Sequence, residues 1–196
     1  MDAEAKQAFI RLKALESQAD PEANKILWSR HAIAELVNEE LSRVQVEEAL
    51  KTSEIIEDYP PLHRPLPDCL VLGWLPEGEP VHAVIALDEA KDRLFVITVY
   101  KPSPGSGKMT GELVKNSRCP LCGGHMKRGM ATIPFILGDT VIVVKDVPAE
   151  ICSSCHEPYM TGEVTDRITA LLKQLRSLPA EVSIVSYSQL ETIPAS

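Results

Sequence analysis

The chain has 196 residues, an ordinary apolar content of 44% and a formal net charge of −8. That size and composition allow one or two small domains with a buried core. The acidic balance argues against non-specific nucleic-acid or anionic-membrane binding, no apolar run is long enough to span a bilayer, and the charged start does not read as a signal peptide.

Residues 2–19 are rich in helix formers, and Ala5, Phe9, Leu12 and Leu15 recur near helical spacing. This predicts an amphipathic helix, ended by Asp20-Pro21, that packs on the next domain. Ser29 is placed to cap a short helix carrying His31, Ala32, Ile33, Leu36 and Val37. Ser42-Arg-Val-Gln45 fits a capping box opening a second helix with Val46, Ala49 and Leu50 on one face. Then the period changes. Ile55-Ile56 reads as a short strand, and Tyr59–Pro67, with four prolines, as loop. Three apolar strands follow, Cys69–Trp74, Val81–Leu87 and Leu94–Tyr100, joined by turns at Pro76–Glu79 and Asp88–Asp92. Two helices followed by an antiparallel meander make a small α+β domain.

Pro102–Gly107 has linker composition. Beyond it, Ala131–Leu137 and Thr140–Val144 are expected strands about a Gly138-Asp139 turn. Thr161 is placed to cap a helix with Val164, Ile168, Leu171, Leu172 and Leu175 at amphipathic spacing. Leu178-Pro179 stops that helix, and Val182–Tyr187 reads as a final strand.

The chemistry-bearing stretch runs from Cys119 to Cys155. Cys119-Pro-Leu-Cys122-Gly-Gly opens it and Cys152-Ser-Ser-Cys155 closes it. Each CxxC turns both sulfurs toward one side of an ion, and two such knuckles supply the four thiolates that Zn²⁺ takes in a closed tetrahedral site. Gly123 and Gly124 suit the turn after the first pair. Thiolate sets also hold iron–sulfur clusters, and a CxxC also serves as a redox dithiol or stands unligated. One structural Zn²⁺ on Cys119, Cys122, Cys152 and Cys155 is the expectation, with His125 and His156 outside the ligand set. Four of the five cysteines fall in these pairs, which fits a reducing, cytoplasmic compartment better than a disulfide framework. Cys69, in an apolar run, reads as a small buried hydrophobe.

A second candidate site lies on the meander. Alternate side chains share a strand face, so Thr98 and Tyr100 lie together. If the turn pairs Leu87 with Arg93, His82 stands opposite Thr98 and diagonal to Tyr100. With His31 and Lys101 near, such a set has the groups for proton transfer to and from a ribose 2′-OH. The plainer reading is of half-buried sheet residues with polar tips in water; Arg30 and His63-Arg64 likewise read as surface or loop residues. Residues 26–101 carry seven Lys/Arg against fourteen Asp/Glu, and 108–196 carry nine of each. An RNA-cleaving surface normally has a basic footprint, and the first half shows none.

Trp28-Ser-Arg-His31-Ala32, the Ser42 helix, Ile55–Pro60, Leu72-Gly73, His82 and Ile97–Tyr100 resemble the domain-of-unknown-function family numbered 4258. That family looks related to small α+β ribonuclease-like toxins of the RelE and BrnT sort. Cys119–Gly124, Val147-Pro-Ala149, Cys152–Cys155 and Val182–Tyr187 resemble the YgiT-type zinc finger of MqsA-like antitoxins. The two resemblances divide the chain into an N-terminal helix (1–25), a toxin-like α+β domain (26–102), a linker (103–117) and a zinc finger domain (118–196). They imply a toxin–antitoxin-derived fusion whose RNase-like part is weak or autoinhibited. Its reaction would be metal-independent, with His82 or His31 as acid or base and Thr98 and Tyr100 positioning the phosphate. Glu35 and Glu39 stand where that family commonly has arginines, and His156 stands where the zinc finger usually has Gly. The alternative is a non-catalytic zinc-stabilised interaction or regulatory protein. Expected partners are RNA or a toxin or antitoxin protein, with contact between the two halves; no membrane is expected, nor DNA, since no helix-turn-helix is evident.

Overall fold

In a computed structural model the chain is described over residues 1–59, 65–102, 119–176 and 182–188. His63 and Arg64, the linker 103–117 and the Leu178-Pro179 stop lie outside the described residues. The described chain is α+β. Four helices, α1 (Ala3–Ala19), α2 (Arg30–Asn38), α3 (Arg43–Leu50) and α4 (Gly162–Arg176), accompany a mixed sheet. None of them is long and apolar enough to cross a membrane.

The sheet has nine strands: β1 (Ile26–Ser29), β2 (Glu54–Asp58), β3 (Asp68–Trp74), β4 (Pro80–Asp88), β5 (Arg93–Tyr100), β6 (Met126–Leu137), β7 (Thr140–Cys152), β8 (Pro158–Met160) and β9 (Val182–Ser186). Their spatial order is β2-β3-β4-β5-β1-β8-β7-β6, with β9 also on β7. Two strands that local sequence pattern does not predict, β1 and β8, sit at its centre. β1 runs parallel to β5 and antiparallel to β8, where Trp28 pairs with Met160 and Ser29 with Tyr159. One sheet therefore runs from the meander into the cysteine-bearing hairpin. The hairpin strands are also longer than expected, because the β6–β7 pairing continues from Leu137–Thr140 down to Met126–Cys152.

Side-chain alternation sorts the sheet into two faces. Ile26, Trp28, Leu94 and Val96 join residues of all four helices in the main core, while Leu27 and Phe95 point the other way and pack with Tyr159, Cys119 and Cys152. The helices thus cover one face, and the cysteine centre occupies the other.

The helix starts follow the sequence. Ser29 Oγ accepts from the Ala32 amide at 3.0 Å, and both halves of the Ser42–Gln45 capping box form. The expected apolar face of α1 does not hold. Leu12 and Leu15 are exposed, and the buried residues are Lys6, Ile10, Lys13, Ala14 and Ser17. Both lysines are paired inside, Lys6 with Asp58 and Lys13 with Glu16 and Asp92.

Candidate metal centre and the sheet face beside it

The two CxxC turns are built alike. In the first, the Gly123 amide donates to the Cys119 carbonyl at 2.9 Å and the Cys119 amide to the Gly124 carbonyl at 2.7 Å. In the second, the His156 amide donates to the Cys152 carbonyl at 3.1 Å and the Cys152 amide to the Glu157 carbonyl at 3.1 Å. The residue after each knuckle is left-handed, Gly123 at φ +78° and His156 at φ +61°. His156 therefore holds a conformation that glycine takes at no steric cost. The Ser153 amide donates to the His125 carbonyl at 2.8 Å and ties the knuckles together. A Cβ on Gly124 would stand 2.7 Å from the Cys152 sulfur and 2.5 Å from Ser154 Oγ, so only glycine lets the two turns close.

The four sulfurs of Cys119, Cys122, Cys152 and Cys155 all lie within 4.8 Å of one another. Cys119 Sγ is 3.5 Å from Cys155 Sγ, and Cys122 Sγ is 3.4 Å from Cys152 Sγ. A tetrahedron with metal–sulfur bonds near 2.3 Å has edges of about 3.8 Å, so this quartet fits one metal ion with small adjustments. Its electrostatics point the same way. Burial would raise the Cys152 thiol, but amides of Cys155 and Ser154 and the neighbouring sulfurs bring it down to about 7. Burial and the three other sulfurs push the Cys155 thiol up. Four sulfurs this close ionise together only with a cation among them.

Tyr159 connects this centre to the first half. Its hydroxyl lies 4.0 Å from Cys119 Sγ, and its ring meets Phe95 edge-on with centroids 5.0 Å apart. Burial, then the Cys119 sulfur, raises the phenol and keeps it a neutral donor. Charged pairs reinforce the junction. Arg93 binds Glu150 through Nη1 and Nη2 at 2.8 and 2.9 Å. Arg43 holds Asp166 through Nε and Nη2 at 2.9 and 2.8 Å while Nη1 reaches Glu47. Arg30 contacts Glu157 at 3.3 Å. The pairs that cross between the halves are not legible in the sequence, since nothing in local spacing links residues more than fifty positions apart.

On the same sheet face, farther along, the structure brings together three of the four proposed catalytic residues. The register differs from the one assumed: Asp88 pairs with Arg93, and a bulge between Val84 and Ile85 admits one extra residue in β5. His82 consequently pairs directly with Tyr100, and Thr98 with Val84. His82 Nδ1 is 3.3 Å from the Tyr100 hydroxyl and the rings meet edge-on. Burial lowers the His82 pKa; burial and then Glu57 raise that of Tyr100. Thr98 is buried. His31 lies on the first turn of α2 with an exposed side chain 3.9 Å from Glu35, and hydrogen bonds or ion pairs join it to none of the other three. Glu39 accepts from the Lys101 amide at 3.4 Å. Cys69 is buried and its thiol is pushed up to about 12, first by burial.

Residues 28–101 match the family model described as Domain of unknown function (DUF4258), the family whose motifs the first half carries. The match takes in α2, α3 and β2–β5 and stops before the cysteine segment. Neither the curated proteins nor the solved structures gave a match to the chain.

Proposed function

We propose that this chain is a toxin–antitoxin-derived fusion in which a zinc-built half holds an RNase-like half silent. The observation that carries the reading is the fate of the arginines. Arg30, Arg43 and Arg93, the described arginines of residues 26–101, each pair with a carboxylate of the second half. Those are the cations a first half acting on RNA would turn toward phosphates. Here Glu157, Asp166 and Glu150 take that place, as a protein inhibitor would. The metal is Zn²⁺ in this reading, because four thiolates in a closed set suit it and leave no open position for water. Its role is structural, and the YgiT-type resemblance of the knuckles supports the same assignment.

His82 and Tyr100 are then the acid–base pair, with Thr98 beside them. The test compares RNA cleavage at low salt by the metal-loaded chain, the chelated chain and a fragment ending near Lys101. The reading expects cleavage only when the second half is released or removed, and expects His82→Ala to abolish it. Inert fragment and chelated protein would sink the enzymatic part. A non-catalytic interaction module would then stand. That second reading has its own support in Glu54, in the strand row of Leu72, His82 and Tyr100, and in Glu57, which acts electrostatically on Tyr100.

A further inference from the structure

Between the hairpin turn and Lys145, β7 carries β6 on one side and β9 on the other. Two cross-strand rows face away from the helices there. Ile136, Val141 and Val182 form one row, and Pro134, Val143 and Ile184 form the next. Ile136, Ile184 and Val182 are 69%, 66% and 59% exposed. Six apolar side chains in two adjacent rows make an uncharged patch of the kind that marks a docking surface. We propose that a second copy of this chain docks on it, face to face.

The charges at the ends of the patch choose this occupant. Along β7 the patch is bounded by Asp139 in the turn and by Lys145 at the far end, both exposed, with neither side chain in a hydrogen bond or ion pair among the described residues. A twofold axis lying between two such faces, across the strands at the level of Ile142, reverses strand direction and keeps strand order. It sets each Lys145 over the other copy's Asp139. It also sets Val141 against Val143, Ile136 against Pro134 and Val182 against Ile184. Apolar rows and end charges are thus complementary to themselves under one symmetry operation, as an isologous interface requires. Extension of the sheet through the β6 edge fits less well, since Pro134 lacks a donor and Lys127 and Arg128 guard that strand.

A standard interface covers about 800 Å² per partner, and a six-residue patch with its rim falls at the small end, so association in the micromolar range is expected. Sedimentation equilibrium of the full metal-loaded chain, from micromolar to near-millimolar concentration, reads it directly. The expected result is a monomer–dimer equilibrium weakened about tenfold or more by Ile184→Lys. Lys145→Asp should weaken it, and adding Asp139→Lys to that variant should restore it. Both positions are exposed, and an unchanged circular dichroism spectrum would confirm that each variant folds. A chain that stays monomeric at the highest concentration overturns the proposal and leaves the face to a segment of this chain or to another protein. A dimer indifferent to Ile184→Lys, or one not rescued by the double reversal, overturns it equally.

Discussion

At the scale of single residues, the cysteine centre depends on backbone conformations as much as on sulfur. His156 occupies the left-handed position that Gly123 holds in the matching knuckle. A side chain there costs about 1–2 kcal/mol, partly offset by the greater freedom of glycine in the unfolded chain. His156→Gly should therefore stabilise the metal-loaded protein by about 0.5–1 kcal/mol in urea unfolding. A loss of metal affinity instead would show that the imidazole serves the ion. Gly124→Ala has the opposite expectation: its Cβ meets the Cys152 sulfur, so binding in a metal titration should fall sharply. Glu150 supplies a pH signature. Burial would raise its carboxyl, but Arg93 outweighs that and holds it below the usual value. A depressed carboxylate contributes stability above its unfolded pKa of about 4.3, and the contribution disappears as pH falls through the lower folded value. Glu150→Gln should thus cost stability at neutral pH, and the gap to the parent chain should narrow in acid. A constant gap would mean that Arg93 does not discriminate between the charged and neutral forms.

At the scale of elements, β8 is a three-residue strand that joins two larger pieces. Tyr159→Phe keeps the ring against Phe95 and removes only the hydroxyl near Cys119. Removing such an outer-shell partner typically costs about 10–100-fold in metal affinity, and a competition titration should read a loss near the lower end. An unchanged affinity would leave Tyr159 a packing residue only. Phe95→Ala, at a fully buried position, should cost about 3–5 kcal/mol and weaken the metal too, although Phe95 is far from the cysteines in sequence. The legibility of these elements varied for physical reasons. Caps at Ser29 and Ser42, the β3–β5 meander and the CxxC pairs carry their signal in a few adjacent residues. β1 is fully buried over four residues, so it shows no alternation, and β8 opens with Pro158; both are too short for a period to register. In α1, Lys6 and Lys13 occupy the buried stripe, which hides it from any pattern based on hydrophobicity. The Asp88–Arg93 pairing at the turn and the one-residue β5 bulge together shift His82 from Thr98 to Tyr100, and neither leaves a mark in composition. The three arginine–carboxylate pairs depend on topology, and no reading of neighbours along the chain foretells them.

At the scale of the whole molecule, the cysteine centre sits at the end of the β6–β7 hairpin and next to β8, the strand on which the two halves meet. The Tyr159 hydroxyl, the Phe95 ring and three arginine pairs link the second half to the first, and an ion on the four cysteines would strengthen that hold. Cys152→Ser should accordingly release β8 and the hairpin end while leaving β2–β5 paired. In the proposed reading that hold is also the inhibition, so metal content, closure of the junction and silence toward RNA should rise and fall together. Hydrogen exchange resolved by peptide, on chain with one zinc confirmed by elemental analysis and on the same chain after chelation, tests this most directly. The account predicts that chelation removes protection from Ile26–Ser29 and Pro158–Met160 while Cys69–Trp74 and Val81–Leu87 stay protected. Metal-free protein with β1 and β8 still fully protected would contradict it.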